Sequence, residues 1–295
     1  MRRWFFRKST SAAMEVISEH GCFGGRLGFY RHRSTANNCD MQFGVFVPPQ
    51  GAKTAVPVLT FLSGLTCSEE TFMIKSGAQR IAAERGLMLV SPDTSPRGDG
   101  VPDDPEGAYD FGIAAGFYLD ATKPPWSAHY HMYDYVTREL PEILFAEFPG
   151  DRDRQGIFGH SMGGHGALTI GLRNPDTFRS ISAFAPICSP MNCPWGQKAL
   201  SNYLGNDKST WTDYDATELV KNIGDALPRN RILIDQGLED RYLERELYPQ
   251  LFEAACVDQK IDLELRRHEG YDHGYYFIST FMEDHLKHHA NLLEE

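Results

Sequence analysis

The run Gly159-His-Ser-Met-Gly-Gly-His-Gly-Ala-Leu168 constrains this chain more than any other segment. It contains Gly-x-Ser-x-Gly, with Ser161 between Gly159 and Gly163. An apolar, strand-like stretch leads in (Gly156-Ile-Phe-Gly159), and a helix-forming one leads out (Ala167-Leu-Thr-Ile-Gly-Leu172). Strand, sharp turn and helix in that order are the context of a nucleophile elbow. A serine hydroxyl attacks poorly at neutral pH, so it must be exposed on a strained turn and placed beside a base. The alternative is a glycine-rich turn holding an inert serine. The elbow requires a parallel strand–helix unit, which places the chain among α/β folds.

The rest of the sequence agrees with that class. Strand-like runs recur at 41–47, 56–62, 87–90, 156–158, 181–184, 232–234 and 261–265. Helix-like stretches fall near 70–85, 130–147, 162–173, 241–257 and 275–291. Such alternation predicts a mostly parallel sheet with helices on both faces. The runs before residue 62 lack intervening helices and are expected as antiparallel edge strands. The Pro- and Gly-rich segment 94–129 reads as a long excursion over one end of the sheet, and such excursions in compact domains are usually functional. Residues 14–295 are expected to form a single domain. Met1–Ala13 is basic, lacks acids and ends in Ser, Thr and Ala, so it reads as a targeting segment, an upstream start or an appended tag.

Composition narrows the function classes. The 295 residues are 41% hydrophobic and 23% charged, as in ordinary globular chains. A net charge of −11 argues against nucleic-acid or anionic membrane partners. No apolar run reaches the roughly 20 residues of a membrane span. The six cysteines are scattered without a paired Cys-x-x-Cys pattern, which suits free thiols in a reducing cytosol.

A serine elbow needs a base and an acid to orient that base, in the chain order serine, acid, histidine. Arg231-Ile-Leu-Ile-Asp235 reads as a late strand, and the loop after it presents Asp240. Asp235 and Glu239 are the competing acids, and Asp240 as a plain helix cap is the bland reading. His273 follows the last strand run and precedes the last helix, so it is the expected base. His160 and His165 flank the elbow but stand in the wrong chain order. His285, His288 and His289 share one helix face; a solvated face explains them better than a metal site. Two backbone N–H groups are expected to form an oxyanion hole: Met162 after the serine, and Leu65 on Phe61-Leu-Ser-Gly-Leu-Thr-Cys67. Cys67, two residues beyond Leu65, is expected at the pocket as a sensitive thiol. Trp126 and His160 are further candidates for contact with substrate.

Together with the elbow, several motifs recur in order. They are Phe61-Leu-Ser-Gly-Leu-Thr-Cys-Ser-Glu69, Pro92-Asp-Thr-Ser-Pro-Arg-Gly98, Ala115-Gly-Phe-Tyr-Leu-Asp-Ala-Thr-Lys-Pro-Pro-Trp126, Tyr133-Asp-Tyr-Val-Thr-Arg-Glu-Leu-Pro141, Ser182-Ala-Phe-Ala-Pro-Ile187, Asp235-Gln-Gly237 and Tyr271-Asp-His-Gly-Tyr-Tyr-Phe277. From about Met14 to the C-terminus the chain resembles the S-formylglutathione hydrolase (esterase D) family. The resemblance implies an α/β-hydrolase fold, hydrolysis of S-formylglutathione to formate and glutathione in formaldehyde detoxification, no cofactor, a homodimer and a cytoplasmic location. By motif position it implies the triad Ser161, Asp240 and His273. The chain departs from the family pattern at Ala114, where a glycine is usual, and at Gly274, where a serine is usual. Rival readings are a broad short-chain carboxylesterase, an acyltransferase, and a non-catalytic binding protein on a hydrolase scaffold.

Overall fold

A computed structural model describes residues 14–222 and 231–294, so the Met1–Ala13 extension lies outside the described residues. Nine strands form one sheet among the described residues, in the order β1-β2-β3-β5-β4-β6-β7-β8-β9. They are β1 (Glu15–Cys22), β2 (Gly25–Arg33), β3 (Asp40–Val47), β4 (Val56–Leu62), β5 (Met88–Pro92), β6 (Gly150–His160), β7 (Phe178–Phe184), β8 (Ile232–Gly237) and β9 (Leu263–His268). The first three pair antiparallel, and β3 runs antiparallel to β5. From β5 to β9 every pairing is parallel.

One expectation needs correcting. Val56–Leu62 is not an antiparallel edge strand; it lies between β5 and β6 in the parallel core. All seven of its residues are buried. A strand covered on both faces reads as a continuous apolar run. Its crossover helices follow it rather than precede it. Strands β1 and β2 escape sequence reading because β1 is largely exposed and polar, without a buried stripe.

Helices α1 (Glu69–Lys75) and α2 (Ala78–Arg85) cross from β4 to β5, replacing the single stretch expected there. A continuous helical run follows the excursion: α3 (Met132–Asp134), a π turn (Tyr135–Glu139) and α4 (Leu140–Glu147). Helix α5 (Met162–Arg173) follows the elbow, and Met162 to Leu172 are all buried. Helices α6 (Pro194–Leu204) and α7 (Ala216–Lys221), unread in the sequence, fall between β7 and β8. Helices α8 (Pro249–Gln259) and α9 (Tyr275–Glu294) complete the layers. Among the described residues no helix is long and apolar enough to cross a membrane. All six cysteines are free.

The α9 histidines also correct the reading. His285 and His289 do not face solvent: both are fully buried. His289 bonds Ser180 Oγ at 2.7 Å and Ser182 Oγ at 2.8 Å. His285 bonds Ser182 Oγ at 2.8 Å and Asp235 Oδ2 at 3.3 Å. These bonds tie α9 to β7 and β8. Among the described residues no group of three or more His, Cys, Asp or Glu side chains could hold a metal ion.

Burial drives the His289 imidazole well below its ordinary value and lowers His285, with Asp235 opposing the latter shift. Burial pushes His165 down to about 4. An unfolded histidine titrates near pH ~6.5. Below that pH the unfolded chain binds protons that the folded chain refuses, so stability falls as pH falls, down to the folded values. His165 alone should cost about 2 kcal/mol by pH 5. The urea midpoint is therefore expected to drop clearly between pH 7.5 and pH 5. A flat midpoint over that range would contradict neutral burial of these rings.

Candidate active site

Strand β6 ends at His160 and α5 starts at Met162, so Ser161 occupies the turn between them. Its backbone is held at φ +56°, ψ −119°. Left-handed backbone costs a non-glycine residue energy and persists only where its surroundings enforce it. Here the Ser161 N–H donates to Phe184 O at 3.0 Å, and Ser161 O accepts from the His165 and Ile187 amides at 2.9 and 3.2 Å. The flanking glycines are sterically required. A Cβ at Gly163 would stand 1.9 Å from Leu62 O, and one at Gly159 would stand 2.2 Å from Gly163 O.

Ser161 and His273 line one cavity of about 670 Å³. His273 stands on the loop between β9 and α9, and its Nδ1 lies 2.5 Å from Asp240 Oδ2. Asp240, on the loop after β8, is buried. Its Oδ1 accepts from the Tyr242 amide at 2.8 Å, and Oδ2 also accepts from Gln236 Nε2 at 3.2 Å. An acceptor-only carboxylate at Nδ1 requires the proton on Nδ1, which leaves Nε2 as the basic nitrogen. Backbone bonds fasten the two loops together: Leu238 N–H to His268 O and Glu239 N–H to Tyr271 O, both 2.9 Å. Gly237 allows this approach, because a Cβ there would stand 2.4 Å from Tyr271 O.

The competing acid Asp235 is committed elsewhere. It is fully buried, and Arg266 grips it through Nε and Nη2, both at 2.6 Å. Burial alone would raise its carboxyl, but His285 and Arg266 hold it well below the usual carboxylate range. Glu239 is exposed at the cavity wall.

The loop carrying Leu65 runs directly against the elbow: a Cβ at Gly64 would lie 3.1 Å from Ser161 Cβ. Leu65 lines the cavity. Met162, as the first residue of α5, carries an N–H with no intrahelical acceptor. The Pro92–Gly98 motif braces this loop from behind. Thr94 Oγ1 and Arg97 Nη2 donate to Cys67 O at 2.6 and 3.0 Å, and Asp93 holds the Arg97 guanidinium. The excursion braces it from the other side, with the Thr66 amide donating to Ala114 O at 3.1 Å.

Ala114 stands at φ +63°, a region that favours glycine, at a position where the family pattern has one. An L-residue there costs roughly 1–2 kcal/mol, against roughly 0.5–1 kcal/mol for the greater freedom of an unfolded glycine. Ala114→Gly is therefore expected to stabilise the fold by about 0.5–1 kcal/mol, read as a higher urea midpoint. A lower midpoint would show that the Ala114 methyl contributes more than its strain costs. Gly274 needs no such account, because a serine Cβ there would meet only the flexible Asp272 carboxylate, at 3.2 Å.

The proposed substrate contacts divide. Cys67 and His160 line the cavity. Burial raises the Cys67 thiol, which leaves less thiolate than the sequence reading of a sensitive thiol assumes. His160 is buried with its ring 4.5 Å from that of His273, and burial drives its imidazole far below the ordinary value, so it is neutral. Trp126 is not brought to the cavity. It is 7% exposed and packs against Phe111, Tyr130 and Tyr203, where it stiffens the excursion. The aromatic wall is built instead from Tyr109, Trp195 and Tyr242. Tyr242 meets His273 edge-on at 5.0 Å and Trp195 at 4.7 Å. Sequence reading missed these three; the adjacency of Tyr242 to Asp240 was the one available signal.

A strained serine on a strand-to-helix turn, sharing a cavity with a carboxylate-paired histidine, defines a serine hydrolase of the α/β-hydrolase class. Comparison with known proteins agrees. Residues 34–288 match the Esterase family model, described as "Putative esterase". S-formylglutathione hydrolase of Rattus norvegicus is 50% identical over 95% of this chain and 99% of its own length. That of Mus musculus is 51% identical over the same shares. The solved S-formylglutathione hydrolase from Agrobacterium tumefaciens is 51% identical, covers 94% of this chain and 99% of its own, and superposes with a TM-score of 0.91. The chain belongs to the Esterase family and, within it, to the S-formylglutathione hydrolases.

Proposed function

We propose that this chain hydrolyses S-formylglutathione to formate and glutathione through a formyl-enzyme on Ser161. The observation that supports it most is the His273–Asp240 pair opening, with Ser161, on one cavity. In this reading His273 Nε2 takes the Ser161 proton as Oγ attacks the formyl carbon. The Leu65 and Met162 amides hold the oxyanion. As the C–S bond breaks, the imidazolium gives its proton to the departing thiolate. A water then attacks the formyl ester, His273 takes its proton and returns one to Ser161 Oγ, and formate leaves. Asp240 keeps the Nδ1 tautomer throughout. A formyl group is tiny, so selectivity must come from the glutathione part in the wider cavity. The family resemblance carries the further proposals of a homodimer and a cytoplasmic site of action.

The test compares kcat/KM for S-formylglutathione with that for 4-nitrophenyl acetate, and measures both products of the first reaction. A strong preference for the thioester, with formate and glutathione formed in equal amounts, is expected. A preference for the aryl ester would favour the broad carboxylesterase, and a formyl ester made from added alcohol would favour the acyltransferase.

A further inference from the structure

Arg241 follows Asp240 directly and lines the cavity, the one Lys or Arg among the described residues that does so. Its guanidinium lies over the Tyr242 ring, 4.7 Å from the centroid, and donates to Tyr242 Oη at 2.5 Å. Among the described residues no carboxylate comes within ion-pair distance of it, whereas Arg31, Arg97, Arg138, Arg154 and Arg266 are all paired with acids. A guanidinium held at a cavity wall without a carboxylate is suited to a carboxylate that arrives with the substrate. The same wall carries Glu239 and Asp272, also without a cation within ion-pair distance among the described residues. In a chain of net charge −11, a lone cation in such a mouth sets where an anionic group can settle.

The spacing fits the peptide thiol. Contacts of 4.7 and 5.0 Å, through the Tyr242 ring, carry the guanidinium to within about 10 Å of the His273 ring. His273 must stand within hydrogen-bond reach of the leaving sulfur. From that sulfur, the glycyl carboxylate of an extended glutathione lies on the order of 7 Å away. Glutathione also carries one ammonium, at its γ-glutamyl end, to match the acids of the wall.

We propose that Arg241 is a specificity-determining residue: its guanidinium binds the glycyl carboxylate of the leaving thiol, and Glu239 and Asp272 receive the γ-glutamyl ammonium. This rests on the reading of S-formylglutathione as substrate. The contact is made alike in the ground and transition states, so it acts mainly through KM. Such a contact would give an acidic protein a means of favouring an anionic thioester over a neutral ester.

The test uses the full chain as wild type, Arg241→Ala and Arg241→Lys. The substrates are S-formylglutathione, its glycyl ethyl ester and 4-nitrophenyl acetate. A charge-assisted contact at this exposed position should be worth about tenfold. Arg241→Ala is expected to lose about tenfold in kcat/KM for S-formylglutathione, mostly in KM, so that the ratio to the aryl ester falls. Arg241→Lys should recover part of it. The ethyl ester should react about tenfold more slowly than the acid with wild type and show no further loss with Arg241→Ala. Equal losses on all three substrates would overturn the proposal, since Arg241 would then act by holding Tyr242 against His273. Full activity of Arg241→Ala on S-formylglutathione would overturn it too, while leaving the substrate reading intact. A wild type that favours the aryl ester would overturn both.

Discussion

Ser161→Ala is expected to abolish turnover, by about 10⁶ in kcat, as loss of the nucleophile does where a serine, histidine and acid act as a unit. The fold should survive. The Ser161 backbone, not its hydroxyl, makes the contacts that hold the elbow, with Phe184, His165 and Ile187. Alanine can occupy the same turn at φ +56° as readily as serine. Steady-state rates on S-formylglutathione and on an aryl ester, beside a urea titration, would check both halves. More than a few per cent residual activity in a clean preparation would remove Ser161 as the nucleophile.

Asp240→Asn is expected to lower kcat by roughly 10³–10⁴, because an amide can donate to Nδ1 and leave the proton on the wrong nitrogen. The amide would also face the Tyr242 N–H and Gln236 Nε2 with one acceptor oxygen instead of two. Asp235→Asn should behave in the opposite way. It breaks the pair between the fully buried Asp235 and the part-exposed Arg266, a change that costs up to about 3–5 kcal/mol when one partner of a buried pair is removed. The folded fraction should nevertheless keep most of its turnover, because Asp235 touches Arg266, His268 and His285 rather than Asp240 or His273. Urea midpoints and kcat for the two variants separate chemistry from stability. If Asp235→Asn were the more damaging to kcat with its folding intact, Asp240 would not be the acid.

Much of the frame is legible in the sequence alone. Glycine spacing around Ser161 requires a strand, a tight turn and a buried helix, because backbone oxygens leave no room for other side chains. Apolar runs of strand length, separated by helical ones, require a largely parallel sheet. Chain order then points to the loops after β8 and β9 for an acid and a base, and those loops carry Asp240 and His273. Each of these readings rests on local chemistry within a few residues.

Other features were decided only by contacts between distant segments. Composition could not distinguish Trp126, packed under the excursion, from Trp195, which lines the cavity; each is a tryptophan in a stretch rich in proline and glycine. The histidines of α9 look like a polar helix face until Ser180, Ser182 and Asp235 arrive from β7 and β8 to bond them. Val56–Leu62 reads as one apolar strand among several until β5 and β6 flank it. Asp235 and Asp240 are equivalent carboxylates on one short segment, and it is Arg266 and His285, thirty-one and fifty residues away, that engage Asp235 in the folded molecule. The sequence by itself determined the elbow, the α/β alternation and the loops that bear Asp240 and His273, since these follow from sterics and periodicity along the chain. The tertiary structure alone decided which charges are neutralised, which aromatics reach the cavity and which cation lines it, because burial and ion pairing depend on segments that meet only in the folded molecule.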